Sequence, residues 1–338
     1  MALSNAIVPV LPVFADKSSL IGAIYSSYFL GAFISTLPAG MLSDRYSRLP
    51  VILAGLVITC ISGLALASFT GLILMIIARF VEGIGAGLFI AAGMSYVNSE
   101  PDHEKLSGWF LALMNAGFVF GLLSAGWLSD TFHAPSAGIL LFAVLTFFPA
   151  GACLFGKEAP APLKPRDTFG LFSCIQKYRG IWYSSIVLTG VTGVVTSLYP
   201  KFSGASPTVL GLWIGGMNIA TIIAVIFVSR LRFDGIRIIQ ISALLMAAGI
   251  IVTFYTPVGF IFLGAMAGFV MIAQMFFLSR CTDHQGTAMG LFSTTGYLGM
   301  SVLPLLTGLI ADSSGFFFAF GSAAFCAATV AIIVGREK

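Results

Sequence analysis

The chain has 338 residues, of which 58% are hydrophobic and only 9% are charged, and its formal net charge at pH 7 is +4. Soluble domains carry roughly 25% charged residues, so this chain has too little charge to cover a globular surface in water. The composition excludes a soluble enzyme, a nucleic-acid-binding domain and a secreted disulfide-rich domain. It indicates an all-α polytopic membrane protein.

About 20 apolar residues are needed for a helix to cross a bilayer. Apolar runs between charged or Pro/Gly-rich breaks predict spans 2 to 12 at roughly 19–41, 50–70, 72–97, 106–129, 135–156, 180–200, 207–229, 236–256, 258–279, 286–311 and 315–335. Before them, the apolar stretch from Met1 to Ala15 would reach only about 22 Å as a helix, less than the roughly 30 Å of a bilayer core. We expect it to be the second half of a truncated span 1, with an in-frame segment upstream.

The Lys and Arg residues predict the orientation of these spans. Of the 17 basic residues, only Lys17 and Lys201 lie in one set of alternate connections and Arg79 lies within a span, while the others lie in the opposite set of connections or at the C-terminus. Because basic connections stay in the cytoplasm, we expect a multi-pass protein of the cytoplasmic membrane with a cytoplasmic C-terminus. The net positive charge therefore needs no nucleic-acid partner to explain it.

The polar, Pro-containing segment 157–179 predicts a cytoplasmic linker between two six-helix halves. The N-terminal half would be 1–156, with spans 1 to 6 and span 1 partial, and the C-terminal half would be 180–338, with spans 7 to 12. An internal repeat supports this division, because 108–130 aligns with 290–312 without a gap. The identical pairs are Gly108/Gly290, Phe110/Phe292, Gly117/Gly299, Leu123/Leu305, Gly126/Gly308 and Asp130/Asp312. Parallel repeated halves are typical of transporters.

The connection between spans 2 and 3 reads GMLSDRYSRLP over residues 40–50. Asp44, Arg45 and Arg48 place a carboxylate and two guanidinium groups on a tight turn, where they can bind neighbouring helix ends. The segment resembles the G-x-L-a-D-r-x-G-r-k-p loop of the major facilitator superfamily, with Ser47 in place of Gly and Leu49 in place of a basic residue. The resemblance implies that these three charged residues gate the cytoplasmic side. The alternative is that they only orient the protein in the membrane.

We expect the substitution Asp44→Asn to leave membrane insertion nearly unaffected and to slow transport. It removes the charge of a charge-assisted network worth about 1–3 kcal/mol, and so weakens one conformational state. Transport rate per inserted molecule and cysteine accessibility on both faces measure the effect. Wild-type values of both quantities would count against a gating role.

Span 4 contains Arg79, Glu82 and Gly83 on one helical face. It resembles the R-x-x-q-G-x-g-a motif of the same superfamily, with Glu82 in the Gln position. A charge this deep costs about 2.5–3.5 kcal/mol on insertion scales, so Arg79 should face protein or water. The motif predicts that Arg79 and Glu82 couple transport to proton movement. The alternative is a local ion pair that only orients the helix.

Span 5 contains Gly117, Gly121 and Gly126. It resembles the G-x-x-x-G-P-x-x-G-G motif of antiporters in this superfamily, with Leu122 in place of Pro and Ala125 in place of the penultimate Gly. The resemblance implies antiport, although small residues at this spacing also serve close helix packing alone.

Polar residues within the spans are few and suit a large, mostly apolar cavity. Span 7 carries a stripe of Ser185, Thr189, Thr192, Thr196 and Tyr199 on one face. Our candidates for lining the substrate cavity are Tyr25, Tyr28, Asn115, Thr189, Thr192, Thr196, Asn218 and Gln274. Each could instead join two helices by a hydrogen bond.

Together these motifs predict a two-half helical bundle of the major facilitator type. The resemblance implies a secondary transporter, and we expect proton-coupled export of small, largely apolar organic compounds by alternating access. An uptake symporter is the first alternative, and a non-transporting receptor or a membrane enzyme is a distant one. We expect no catalytic residues, metal or cofactor. The expected partners are a small-molecule substrate, a coupling ion that is a proton, and the lipid bilayer, and we expect a monomer.

Overall fold

In the computed structural model, the described residues are 1–45, 47–68, 71–100, 102–156, 179–228, 235–279 and 285–335. The helices follow the predicted spans and are numbered like them, and no β-strand occurs among these residues. They are α1 (Ala2–Phe14), α2 (Ser18–Arg45), α3 (Arg48–Ser68), α4 (Leu72–Val97), α5 (His103–Phe132), α6 (Ala137–Leu154), α7 (Arg179–Ser203), α8 (Pro207–Val228), α9 (Gly235–Tyr255), α10 (Val258–Ser279), α11 (Gln285–Ser314) and α12 (Phe316–Gly335). Helices α2 to α12 are long and apolar enough to cross a membrane, which confirms the all-α polytopic class.

Proline interrupts the two irregular helices. In α6, the segments Ala137–Leu145 and Phe147–Leu154 are separated at Thr146. Pro149 has no N–H to donate to the carbonyl of Leu145, which ends the first segment. Helix α1 is broken in the same way by a 3-10 turn at Val8–Val10, which contains Pro9.

The chain divides into two compact units. The first comprises Met1–Phe14, Ser27–Arg166 and Ser206–Gly211, and the second comprises Ala15–Ser26, Asp167–Ala205 and Leu212–Lys338, with 157–178 lying outside the described residues. Helices α2 and α8 therefore each belong to both units. The predicted division into halves at 157–179 stays a prediction.

The core of the first unit lies where α3 packs against α4. Small and branched side chains fill it, because close helix packing needs small contact residues. The buried cluster consists of Ala39, Val51, Ile52, Leu56, Ala92 and Ala150.

Helix α7 is the most buried element of the second unit and packs against α11 and α12. Its C-terminal turn ends in an aromatic cluster. Phe202 stacks on Phe254 with a centroid distance of 4.7 Å, and Tyr199 meets Phe260 edge to face at 4.7 Å. Such pairs add about 0.5–1.5 kcal/mol each beyond area burial, so they fix the end of α7 firmly.

Candidate functional site

Helix α4 carries a buried ion pair. Arg79 Nη1 donates to Glu82 Oε2 at 2.7 Å, and both side chains are only 1% exposed. The two residues are three positions apart, so they lie on the same helical face. Removing one partner of such a pair leaves an uncompensated buried charge, which makes the pair sensitive to any change in the charge of either member.

Tyr28 of α2 completes this cluster. Its ring lies under the Arg79 guanidinium, with 4.4 Å from the guanidinium carbon to the ring centroid, and Tyr28 is 4% exposed. A cation over an aromatic face in a desolvated position gains about 2 kcal/mol. The contact is possible because α2 and α4 approach closely at Gly83, where a Cβ would collide with the carbonyl oxygen of Tyr28.

We expect Gly83→Ala to destabilise the protein. The new Cβ meets backbone, which cannot rotate away, and overpacking of this kind costs about 1–3 kcal/mol. The apparent melting temperature in detergent should therefore fall by about 3–10 °C. Gly151→Ala is the matched control, because a Cβ at Gly151 meets nothing within 4 Å. Equal melting temperatures of the two variants would show that the α2–α4 approach is not tight.

Glu82 also faces a cavity. Its second carboxylate oxygen, Oε1, accepts no hydrogen bond from the described residues, nor does Arg79 Nε donate one to them. The cavity has a volume of about 390 Å³ and lies within the first unit. Its wall is mostly apolar and includes Leu56, Phe89, Phe110, Leu113, Met114 and Phe142, together with Met1 and with Ala2–Ser4 of α1. A buried carboxylate oxygen beside open space can accept a proton or a hydrogen bond from a ligand.

The predicted cytoplasmic gate is only partly described. Asp44 and Arg45 lie in the last turn of α2, but their side chains lie outside the described residues. Arg48 begins α3 and its Nε donates to Ser95 Oγ of α4 at 3.1 Å. This bond ties the start of α3 to the end of α4, and the gating role of the three residues stays a prediction.

The predicted cavity residues are divided between the two units. Tyr28 joins the Arg79–Glu82 pair in the first unit, whereas Tyr25 lies in the second unit and is 2% exposed. Asn115 donates to the Leu111 carbonyl at 2.8 Å and Asn218 to the Ile214 carbonyl at 2.9 Å, each within its own helix. Each of these two amides makes one hydrogen bond to its own helix, and a substrate role for either stays a prediction.

In the second unit, the polar residues of α7 make hydrogen bonds both to neighbouring helices and within α7 itself. Gln274 of α10 donates to Ser184 Oγ at 2.8 Å, and Thr295 of α11 donates to Ser185 Oγ at 3.1 Å. Thr192 donates to the Thr189 carbonyl at 2.7 Å, and Thr196 is buried. Gln274 thus joins two helices by a hydrogen bond, and a substrate role for Gln274 and for the threonines stays a prediction.

The glycines of α5 lie at close helix contacts. A Cβ at Gly121 would collide with the Ala2 carbonyl oxygen of α1, and a Cβ at Gly126 would collide with the Pro207 carbonyl oxygen at the start of α8. Gly117 faces Met1. The packing role of this motif has direct structural support, whereas its meaning for antiport stays a prediction.

The aromatic wall of the cavity was not predicted. Phe89, Phe110 and Phe142 come from α4, α5 and α6, and nothing in their individual spans distinguishes them from lipid-facing phenylalanines. Each of the three helices contributes only one of these phenylalanines, so the aromatic wall becomes visible only when the helices are packed together. No group of His, Cys, Asp or Glu among the described residues could hold a metal ion.

Comparison with known proteins identifies the family of this chain. The sequence model of the Major Facilitator Superfamily matches residues 1–203. The quinolone resistance protein NorA of Staphylococcus aureus (strain MRSA252) is 24% identical over 337 residues, covering 90% of this chain and 85% of the relative. The class H tetracycline resistance protein of Pasteurella multocida is 30% identical over 158 residues, covering 42% of this chain and 40% of the relative.

Solved structures share the fold. The nucleoside transporter NupG matches with a TM-score of 0.75 at 14% identity, covering 99% of this chain and 94% of NupG. The POT family transporter PepTSo matches with a TM-score of 0.76 at 11% identity, covering 99% and 96%. Because the family model spans more than half of the chain and full-length transporters share its fold, this chain belongs to the Major Facilitator Superfamily and is a multi-pass membrane transporter, not an enzyme.

Proposed function

We propose that the protein exports small, largely apolar organic compounds in exchange for protons, by alternating access. The observation that carries the proposal is the buried Arg79–Glu82 pair, in which Glu82 Oε1 accepts no hydrogen bond from the described residues and the side chain faces a cavity. Two of the relatives are a quinolone resistance protein and a tetracycline resistance protein, which supports export of drug-like compounds.

The cavity supports the substrate class. Ligand sites typically have volumes of roughly 300–1,000 Å³, apolar walls and few polar groups. The cavity of about 390 Å³ combines three phenylalanines and Met114 with the Glu82 carboxylate. A compact aromatic compound with one hydrogen-bond donor would bury its apolar surface against these rings and direct its donor to Glu82.

Glu82 supports the coupling role. Ionised Glu82 balances the positive charge of Arg79. Protonated Glu82 carries no negative charge, so the Arg79 guanidinium then keeps its contact with the Tyr28 ring but loses the ion pair. The two protonation states therefore differ in the interactions of α2 with α4. A proton that binds from one side of the membrane can bias a conformational equilibrium only through such a difference. We infer a monomer in the cytoplasmic membrane with its C-terminus in the cytoplasm.

An uptake symporter is the second candidate. Leu122 stands where the antiporter motif has Pro, and its side chain is fully buried in α5. Solved structures of the same fold include a nucleoside transporter and a POT family transporter, so the fold alone does not favour export of drug-like compounds.

Everted membrane vesicles with an imposed acidic interior distinguish these functions. The probes are a fluoroquinolone, tetracycline and uridine, with vesicles from cells carrying an empty vector as the control. Proton-coupled export predicts accumulation of at least one of the two drugs inside the vesicles, abolished by a protonophore. Uridine uptake into right-side-out vesicles with an acidic exterior, without any drug movement, would favour symport. If no probe moves in either orientation, the proposed substrate class is wrong.

A further inference from the structure

Thr59 of α3 brings a hydroxyl group to the cavity that Glu82 faces. Its side chain is half-buried and forms part of the cavity wall in the first unit. Among the described residues, Thr59 Oγ1 has no hydrogen-bond partner. A hydroxyl group can both donate and accept, so both capacities of this side chain are left for a molecule in the cavity.

The absence of an internal partner distinguishes Thr59 from other threonines of the first unit. Thr36 of α2 donates to the Ala32 carbonyl at 2.6 Å, and Thr146 of α6 donates to the Phe142 carbonyl at 2.7 Å. Such bonds to the preceding turn are the ordinary way in which a helical threonine satisfies its hydroxyl in an apolar environment. The Thr59 hydroxyl lacks such a bond, which makes it available to a ligand.

Gly85 of α4 makes room for this hydroxyl. A Cβ at Gly85 would stand 2.5 Å from Thr59 Oγ1 and 2.7 Å from the Gly55 carbonyl oxygen of α3. The hydroxyl therefore lies directly against the backbone of α4. Gly85 follows Glu82 by three residues, which is about 4.5 Å along the helix axis. The hydroxyl and the carboxylate thus lie about one turn of α4 apart in the wall of the same cavity.

The two polar groups differ in what they can recognise. Glu82 Oε1 is buried and accepts no hydrogen bond from the described residues, and an ionised carboxylate can only accept. Thr59 can donate. Between them the wall is apolar, and the rings of Phe89 and Phe110 lie 6.0 Å apart at an angle of 31°. A compact aromatic compound could therefore bury its rings against the phenylalanines while its polar edge meets both groups.

We propose that Thr59 is a specificity-determining residue of this site, and that the site selects compact aromatic compounds with an N–H donor next to a carbonyl acceptor, as in an aromatic lactam. The N–H group donates to Glu82, and the carbonyl oxygen accepts from Thr59. A compound without the carbonyl leaves the Thr59 hydroxyl without a partner once water is displaced, which lowers its affinity. The inference rests on the proposed function of the cavity as the substrate site, but not on proton exchange or on the direction of transport.

A matched pair of compounds tests the role of Thr59. The bicyclic lactam dihydrocarbostyril carries the N–H group and the carbonyl, and tetrahydroquinoline has the same two rings and the N–H group without the carbonyl. Binding of each radiolabelled compound is measured by equilibrium dialysis against purified protein in nanodiscs, with empty nanodiscs as the blank. Thr59→Val keeps the shape of the side chain and removes the hydroxyl. It should weaken lactam binding about fivefold and leave tetrahydroquinoline binding unchanged. Thr59→Ser keeps the hydroxyl and should retain the preference of the wild type for the lactam.

Thr36→Val is the matched control, because it removes a threonine hydroxyl that lies outside the cavity wall. It should leave the affinities for both compounds unchanged. Melting temperatures in detergent identify any variant that fails to fold, and Thr59→Val should melt close to the wild type because its hydroxyl has no partner among the described residues.

Two results would overturn the role of Thr59 alone: an unchanged lactam affinity in folded Thr59→Val, or an equal loss of affinity for both compounds. Failure of the wild type to bind either compound would overturn this role together with the cavity as the substrate site. Lactam binding that depends on Thr59, without exchange of drug for protons in the everted vesicles, would support the role of Thr59 and refute only the proposed export.

Discussion

Glu82→Gln is expected to remove the pH dependence of transport while folded protein still reaches the membrane, although at lower stability than the wild type because the buried Arg79 guanidinium loses its counter-charge. The amide has the shape of the carboxyl group and keeps an oxygen that can accept from Arg79, but it cannot take up or release a proton. Gln is also the residue usual at this place in the motif that span 4 resembles. The variant should therefore still bind substrate while losing the coupling to a pH gradient.

The measurement is the initial rate of drug transport in proteoliposomes between pH 5.5 and 8.5. The wild type should change its rate across this range and Glu82→Gln should give a flat profile. Glu100→Gln serves as the control, because Glu100 lies in the connection before α5 and outside the cavity wall. A wild-type pH profile in Glu82→Gln would show that Glu82 is structural and that protons bind elsewhere.

Arg79→Ala is expected to be the most damaging single substitution in the first unit. It leaves the carboxylate of Glu82 buried without its partner, which costs about 3–5 kcal/mol for pairs of this kind. It also removes the cation above the Tyr28 ring, which lies 4.4 Å from the guanidinium carbon. The apparent melting temperature should fall by about 10 °C or more.

The double variant Arg79→Ala with Glu82→Gln separates the cost of the unpaired charge from the cost of the lost packing. It removes the unpaired charge, so it should recover a substantial part of the lost stability, although the cavity left by the arginine remains. Lys105→Ala is the control for loss of a basic residue, because Lys105 is exposed at the start of α5. If the double variant is as unstable as Arg79→Ala alone, the loss comes from packing and the ion pair contributes little.

The helices could be predicted from the sequence because apolar runs and their polar breaks report the length of each span directly. The prediction for α4 and α10 coincides with the observed bounds Leu72–Val97 and Val258–Ser279. Hydropathy does not report the break of α6 at Thr146, since the segments on both sides are apolar. That break depends on the missing N–H group of Pro149 and on the Thr146 hydroxyl, which donates to the Phe142 carbonyl at 2.7 Å.

The ion pair could be predicted from the sequence because residues three apart on a helix face the same side. The stacking of Tyr28 on Arg79 could not be predicted, because it depends on how closely α2 approaches α4. Tyr25 and Tyr28 are equally polar and three residues apart, yet they lie in different units because α2 passes from one to the other between Ser26 and Ser27. Single-helix periodicity carries no information about that transition.

The internal repeat shows that Asp130 and Asp312 occupy equivalent positions, but it does not show which groups they bind. Their partners are backbone N–H groups, which have no signature in the side-chain pattern. Gln274 was a candidate for the substrate cavity because it is a polar residue within a span. Its amide donates a hydrogen bond to Ser184 of a neighbouring helix. Polarity within a span therefore identifies hydrogen-bonding positions without separating substrate contacts from helix contacts.

Simultaneous recording of drug and proton movement tests the exchange of drug for protons most directly. Purified wild-type protein is reconstituted in proteoliposomes with an acidic lumen, an internal pH dye and an external fluoroquinolone or tetracycline, with protein-free liposomes as the control. Proton-coupled export predicts that the drug accumulates in the lumen against its gradient while the internal pH rises in proportion. In Glu82→Gln, neither drug accumulation nor the rise of internal pH should depend on the imposed pH gradient. Drug accumulation with an unchanged internal pH, or an identical proton flux in Glu82→Gln, would contradict it.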